Sequence, residues 1–125
     1  MKVWIGHWLM GTAFIHTVVA SVQYRDVISS VFNSGVFNTV AGNPVIGAVV
    51  WSLLFGGVAM IGGFTVNALE RAQVPLPKTL GVCLLVLGIA GAVLVPVSGF
   101  WLLFPAAITI LTRRSVNQVS PPASP

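Results

Sequence analysis

The sequence predicts an all-α fold: an integral membrane four-helix bundle with a short interfacial amphipathic helix between helices 1 and 2. The first observation is composition: 56% of the 125 residues are hydrophobic and 6% are charged, whereas a soluble domain carries roughly 25% charged residues. The second is placement, because every charged residue stands at the edge of a long apolar run. A charge at the bilayer centre costs about 2.5–3.5 kcal/mol. The length allows one domain.

The first apolar run predicts a membrane-spanning helix over about residues 3–24. Residues 3–22 carry no charge, and at 1.5 Å per residue they span about 30 Å, the thickness of a hydrocarbon core. Lys2 followed by an apolar stretch is also typical of a signal peptide. However, His7 and His16 interrupt the stretch and no small-x-small cleavage site follows. We therefore expect an uncleaved signal-anchor helix.

The segment after this span is amphipathic rather than uniformly apolar. Apolar residues recur at helical spacing while serine and asparagine fill the other side, which predicts a helix over about 26–41 lying in the membrane interface. Gly35 and Gly42 leave an irregular loop open as the alternative.

Prolines divide the rest of the chain. Pro44 suits the first turn of a second span over 44–71, and Pro75 and Pro77 then form a turn. The third and fourth spans, 79–95 and 99–112, are short. Their hairpin therefore either crosses a thinned bilayer or is re-entrant. Together the four spans make a membrane domain over 1–114, and the Ser- and Pro-rich residues 115–125 predict a disordered cytoplasmic tail.

The basic residues predict the orientation. If the four spans are right, Arg25 lies alone on one side of the membrane. The other side carries five basic residues: Lys2, Arg71, Lys78, Arg113 and Arg114. The positive-inside rule then places both termini in the cytoplasm of a multi-pass protein of the cell inner membrane. Because the charges form no patch, we expect the lipid bilayer as the partner and no nucleic acid.

Small residues inside the spans predict close helix packing. Ala59 with Gly63, and Gly88 with Ala92, have the small-xxx-small spacing that lets helix backbones approach. Packing within one chain is the favoured interpretation, and a homo-oligomer is left open.

His16 is the first candidate for chemistry, because an ionisable group deep in a span is a functional candidate. The structural alternative is a hydrogen bond to Thr12, Ser52 or a backbone carbonyl. Other polar side chains are expected at a similar depth, in a cluster made of Ser52, Trp51, Ser98 and Trp101.

Glu70 is the second candidate for acid–base chemistry, as the acidic residue next to a span. We expect it near His7 and Asn67 at the cytoplasmic interface, as a clamp, a proton relay or a head-group site; a solvated carboxylate is also open. No metal or cofactor is predicted. His7 and His16 point to opposite sides of one helix, and Cys83 is the single cysteine.

The sequence resembles a family of small uncharacterised bacterial four-helix membrane proteins, a domain of unknown function. Three stretches carry the resemblance: Trp4-Ile5-Gly6-His7-Trp8-Leu9, Leu69-Glu70-Arg71, and Pro96-Val97-Ser98-Gly99-Phe100-Trp101-Leu102. The resemblance implies a fold and a compartment but no activity, and it points to His16, Glu70 and Ser98 as residues to test.

These features predict an accessory or structural membrane component that could hold a hydrophobic ligand beneath the amphipathic segment. The alternative is a small membrane enzyme acting on a lipid or isoprenoid, with His16 or Glu70 as the acid–base group. A small-molecule transporter is third. The small multidrug-resistance transporters are similar in length, but they depend on a glutamate in the first helix, where this chain has His16.

Overall fold

The computed structural model describes residues 2–113, which form five α-helices and no strand. The all-α prediction is therefore confirmed for this part of the chain. The helices are α1 (Ile5–Gln23), α2 (Arg25–Asn33), α3 (Pro44–Arg71), α4 (Lys78–Leu94) and α5 (Leu103–Thr112), the last preceded by a 3-10 turn over Gly99–Leu102. Each predicted span matches a helix or a helix with its 3-10 turn to within two residues. The predicted tail, 115–125, lies outside the described residues.

The boundaries of α3 follow from local chemistry. Asn43 caps the helix, since its side-chain oxygen accepts hydrogen bonds from the backbone N–H groups of Val45 and Ile46 at 3.1 and 3.2 Å. Pro44 occupies the first turn, where a missing N–H costs nothing. At the other end, Pro75 and Pro77 separate α3 from α4.

The amphipathic segment is helical only in its first half. α2 ends at Asn33, and the chain then takes up left-handed backbone conformations, with φ of 93° at Gly35 and 63° at Val36. These angles are incompatible with a right-handed helix. The amphipathic helix predicted over 26–41 therefore exists in part, and the alternative of an irregular loop applies to residues 34–43.

Two antiparallel helix pairs make up the molecule. In the first pair α1 lies along α3, so that Gly6 faces Asn67, Met10 faces Gly63 and Thr17 faces Gly56. In the second pair α4 lies along α5, with Gly81 facing Leu111 and Gly91 facing Phe100. Glycines stand at these positions because the neighbouring helix leaves no room for a side chain.

Contact between α1 and α5 joins the two pairs, which gives the helix order α3, α1, α5, α4. Within residues 2–113, α3 and α4 make no close backbone contact. Helices stand at the four predicted positions, but they form an open row instead of a bundle closed on all sides. Apolar periodicity does not distinguish a face that meets lipid from a face that meets another helix.

The buried core lies at one end of the row. It is built from Ile5, Leu9, Val66, Ala106 and Ile110. We call this end, which also carries Lys2, Arg71, Lys78 and Arg113, the basic end. Away from it, large apolar side chains are exposed, including Trp51 at 70% and Val93 at 72%. Of the described helices, α1 and α3 are long and apolar enough to cross a membrane, while α4 and α5 are shorter.

Candidate functional site

The most connected polar group lies at the basic end, where three helices meet. Glu70, in the last turn of α3, is completely buried. One carboxylate oxygen, Oε2, accepts a hydrogen bond of 2.8 Å from the backbone N–H of Gly6, and Oε1 accepts one of 3.0 Å from Nη1 of Arg113. The other guanidinium nitrogen, Nη2, donates to the carbonyl oxygen of Lys2 at 2.8 Å. We call Lys2, Gly6, Glu70 and Arg113 the terminal clamp.

In the terminal clamp, Glu70 caps the start of α1 and its buried charge is neutralised by Arg113. The N-cap residue of α1, Trp4, offers no side-chain hydrogen bond to the first turn, so the carboxylate of Glu70 satisfies an N–H that would otherwise lack a partner. A negative group there also meets the positive end of the helix dipole. Because a buried carboxylate is costly unless it is paired, Arg113 is required to balance it.

The expected partners of Glu70 are not the ones the structure shows. His7 is exposed and makes no hydrogen bond to Glu70 within the described residues. Asn67 lies against Gly6 through its backbone, and its Oδ1 is buried with no hydrogen-bond partner among the described residues. The alternative of a solvated Glu70 also fails, since the side chain is 0% exposed. The partner is Arg113, 43 residues further along the chain.

His16 joins the middle of α1 to α3. Its Nε2 lies 3.1 Å from the backbone carbonyl oxygen of Ser52 and 3.5 Å from the Ser52 hydroxyl. The ring meets Phe55 edge to face, with ring centroids 5.8 Å apart. Of the expected partners, Ser52 is therefore present, whereas Thr12 donates to the carbonyl of Trp8. The carbonyl contact assigns the proton to Nε2.

The remaining members of the predicted polar cluster do not gather around His16. Trp51 is 70% exposed on α3. Ser98 accepts a hydrogen bond from the backbone N–H of Phe100 at 3.4 Å, and the indole N–H of Trp101 donates to the carbonyl of Pro96 at 2.9 Å. These two residues therefore stabilise the turn between α4 and α5.

Sequence reasoning missed one connection between the helix pairs. The indole N–H of Trp8 on α1 donates to the carbonyl oxygen of Leu102 at 2.7 Å. A tryptophan near a predicted interface gives no signal of its partner, because the acceptor is a backbone group. Besides the terminal clamp, this bond is a second polar link between the two helix pairs, from α1 to the 3-10 turn that precedes α5.

A depression of about 370 Å³ lies where α1 gives way to α2, far from the terminal clamp. Its lining is mostly apolar and includes Tyr24, Pro44, Val45, Ala48, Val49 and Ser52. Ser52 is the residue whose carbonyl meets His16. The depression therefore has two hydroxyl-bearing residues in its lining, Tyr24 and Ser52, and Ser52 connects it to the His16 contact.

The candidate metal-ligating and charged groups were compared across the described residues. Among them no group of three histidine, cysteine, aspartate or glutamate side chains lies close enough to hold a metal ion. The buried acid has both oxygens engaged, and the described exposed ion pair, Arg25 with Asp26, is 3.7 Å long and solvated. The contacts of Glu70 and His16 join separate helices.

Comparison with known proteins gives a family and no activity. No curated protein matches the chain, and no solved structure matches it. One family model, described as a family of unknown function (DUF6463), matches residues 1–117. This confirms the expected resemblance to a family of unknown function. The match covers almost the whole chain, and the protein belongs to the DUF6463 family of unknown function.

Proposed function

We propose that the protein is a multi-pass component of the bacterial inner membrane, with both termini in the cytoplasm, and that its role is structural or accessory. The observation that carries the proposal is the separation of charge. From Gly6 in the terminal clamp to Arg25, α1 rises about 28 Å, close to the roughly 30 Å of a hydrocarbon core. Between these levels α3 and α4 expose large apolar side chains and carry no charge.

The two candidate acid–base groups support the structural role over the enzyme alternative. Both oxygens of Glu70 accept hydrogen bonds from other segments. Likewise, Nε2 of His16 contacts the backbone carbonyl oxygen of Ser52 on the neighbouring helix α3. A general acid or base needs to reach a substrate proton, and Glu70 is completely buried. The transporter alternative would require a charged or polar path, and the two ionisable side chains singled out from the sequence, Glu70 and His16, are engaged in contacts between helices.

Reporter fusions test the membrane topology. We expect a fusion after residue 115 to report the cytoplasm and a fusion within 33–38 to report the periplasm, because the basic residues of the basic end favour the cytoplasmic side. Alkaline phosphatase and green fluorescent protein give complementary signals for the two sides. A fusion at residue 74, in the connection between α3 and α4, is the control and should match the fusion at 115. The same side for all three positions would contradict the proposal.

A hydrophobic ligand is the second candidate function, and the depression near Ser52 favours it. Its volume of about 370 Å³ lies in the range of small-molecule sites. Its mostly apolar lining with one serine hydroxyl and one tyrosine suits an amphiphile whose polar group bonds to Ser52. In the proposed orientation this depression lies near the periplasmic boundary, between Tyr24 at the end of α1 and the first turns of α3.

Two neighbouring substitutions separate a structural His16 from a ligand site. His16→Ala should lower the free energy of unfolding by about 1 kcal/mol, because it removes a hydrogen bond between helices. Ser52→Ala should leave stability unchanged, since the main acceptor is the backbone carbonyl. Thermal unfolding in mild detergent measures both, with the exposed His7→Ala as control.

The same Ser52→Ala protein tests the ligand. If an amphiphile binds the hydroxyl, mass spectrometry of solvent extracts should find less of it on Ser52→Ala than on the unmodified protein. Equal amounts, or none on either, would contradict the second candidate. A His16→Ala protein as stable as His7→Ala would contradict the structural role of His16.

A further inference from the structure

The turn between α4 and α5, residues 95–100, carries backbone groups that need water. Within the described part of the chain, the N–H groups of Val97, Ser98 and Gly99 have no hydrogen-bond partner, and neither do the carbonyl oxygens of Val95 and Val97. The turn is also open to its surroundings, since Val97 is 96% exposed. Unpaired backbone groups are not tolerated in hydrocarbon, because no water is present there to bond them. The turn therefore lies at the depth of the lipid head groups or beyond.

This turn stands closer to the basic end than the far ends of α1 and α3 do. Gly81 on α4 faces Ile110, which packs in the core with Ile5, so Gly81 lies at about the level of the terminal clamp. From Gly81 to Leu94, the last residue of α4, the helix rises about 20 Å. The first helix pair rises about 28 Å from the terminal clamp to the end of α1. The unpaired groups, which follow Leu94 directly, are therefore about 5–8 Å lower than the end of the first pair.

Exposed aromatic side chains repeat this difference in height. Trp51 is 70% exposed and lies on α3 about 28 Å from Glu70 along the helix axis, at the level of Tyr24 at the end of α1. Trp101 is 56% exposed and lies beside the α4–α5 turn, where its indole N–H donates to the carbonyl oxygen of Pro96. Tryptophan and tyrosine gather at the membrane–water interface. The aromatic residues therefore mark an outer interface that is high along the first helix pair and low along the second.

We infer that the α4–α5 pair crosses a bilayer that is thinner on its side of the molecule, so that residues 95–100 reach the outer head groups. The inference rests on the membrane topology proposed above. The hydrocarbon is about 20–24 Å thick beside the second helix pair and about 28 Å thick beside the first. A bilayer thins around a short apolar segment. The partner of this side is lipid with short acyl chains, because α4 carries no charge between Lys78 and the turn and exposes Val86, Ile89 and Val93.

Single-cysteine labelling compares two positions at equal height. In a Cys83→Ser background, Val97→Cys lies in the turn and Leu54→Cys lies on α3, about 24 Å from Glu70. Both native side chains are exposed. Ser34→Cys, in the exposed connection after α2, is the control. A membrane-impermeant maleimide is added to intact spheroplasts. We expect Val97→Cys to be labelled as strongly as Ser34→Cys. Leu54→Cys should give less than about one third of that signal, since a thiol in apolar surroundings stays protonated and unreactive. All three should be labelled fully after denaturation in SDS.

Lipid selectivity tests the thinning itself. Val93→Cys on α4 and Val58→Cys on α3 stand at about the same height, roughly 18 Å from the terminal clamp, and the native side chains are 72% and 65% exposed. Each variant, in the Cys83→Ser background, carries a nitrobenzoxadiazole fluorophore. The vesicles mix dimyristoleoyl and dierucoyl phosphatidylglycerol, one of the two spin-labelled on its acyl chains. Quenching at Val93→Cys should show a preference of about twofold or more for the short-chain lipid, and quenching at Val58→Cys should show none.

Absence of label on Val97→Cys, with Ser34→Cys labelled, would overturn the inference while leaving the topology intact. Equal labelling of Leu54→Cys and Val97→Cys would mean that the membrane is equally thin on both sides, and would overturn the asymmetry. Labelling of Val97→Cys without a short-chain preference at Val93→Cys would mean that water reaches the turn through a crevice in the protein, and would overturn lipid as the partner. Failure of Ser34→Cys to label would overturn the topology itself.

Discussion

Replacing Glu70 by alanine is expected to lower the free energy of unfolding by about 3–5 kcal/mol, the range for removing one partner of a buried ion pair. The loss is large because Arg113, whose side chain is only 21% exposed, would keep its charge without a partner. The backbone N–H of Gly6 would also lose its acceptor. Thermal unfolding of the purified protein in mild detergent, followed by tryptophan fluorescence, measures the change. The neighbouring Arg71→Ala is the matched control, since Arg71 is exposed.

A double-mutant cycle separates the ion pair from the helix cap. Arg113→Ala alone should also destabilise strongly, because it leaves a buried carboxylate. The double variant Glu70→Ala with Arg113→Ala should cost less than the sum of the two single changes, since it leaves no buried charge without a partner. If Glu70→Ala unfolds at the same temperature as Arg71→Ala, the terminal clamp does not stabilise the protein.

Gly6→Ala is expected to have the second largest effect, a loss of about 1–3 kcal/mol. A Cβ at Gly6 would overlap the backbone N and Cα atoms of Asn67. Backbone atoms of a packed helix cannot rotate away as a side chain can, so α1 and α3 must move apart. That shift would also lengthen the hydrogen bond from Gly6 to Glu70. The same thermal measurement in detergent reports the change.

Gly11→Ala is the control for Gly6→Ala, because both glycines lie on α1. Nothing lies within 4 Å of a Cβ at Gly11, so alanine there should stabilise the helix by up to about 1 kcal/mol. The two substitutions are therefore expected to differ in sign. A destabilised Gly11→Ala protein, or an unaffected Gly6→Ala protein, would mean that α1 and α3 do not pack as described.

Helix bounds were predictable because prolines and apolar runs mark them directly. Pro44 is the first residue of α3, and Pro77 directly precedes α4. The apolar runs that follow these prolines are too long for β-strands and have the length of helices. The extent of α2 was not predictable from its pattern: the spacing of apolar residues continues past Asn33, but Gly35 and Val36 adopt left-handed conformations that end the helix. Periodicity records which side chains are apolar and does not record backbone conformation.

The sequence predicted that small residues lie at helix contacts, but it identified only some of the residues that do. Gly63 and Gly88 are buried contact residues as expected, but the other buried glycines of α3 and α4 are Gly56, Gly81 and Gly91. Ala59 and Ala92 are only half buried. The choice depends on the crossing angle of each helix pair, which small-residue spacing alone does not determine.

The pairing of Glu70 with Arg113 shows where sequence reasoning stopped. The count of basic residues placed Arg113 on the cytoplasmic side, and Glu70 was expected at the interface of the same side. Their contact also requires α5 to lie beside α1, and no periodicity in the sequence specifies which helices are neighbours. His7 and Asn67 were favoured as partners of Glu70 because they were the polar residues expected at that depth. The buried carboxylate instead requires a positively charged partner, which is Arg113.

The terminal clamp also bears on how synthesis and assembly are ordered. α1 can meet α3 once residue 71 is made, and α4 can meet α5 later as a separate unit. The buried carboxylate of Glu70, however, has no cationic partner until Arg113 is synthesised. Arg113 is one of the last residues of the family-matched region to leave the ribosome. A chain released early would hold an uncompensated charge in its core. Truncated products that lack Arg113 would therefore be less stable than a chain that includes it, so that progress of translation and stability of the fold are coupled.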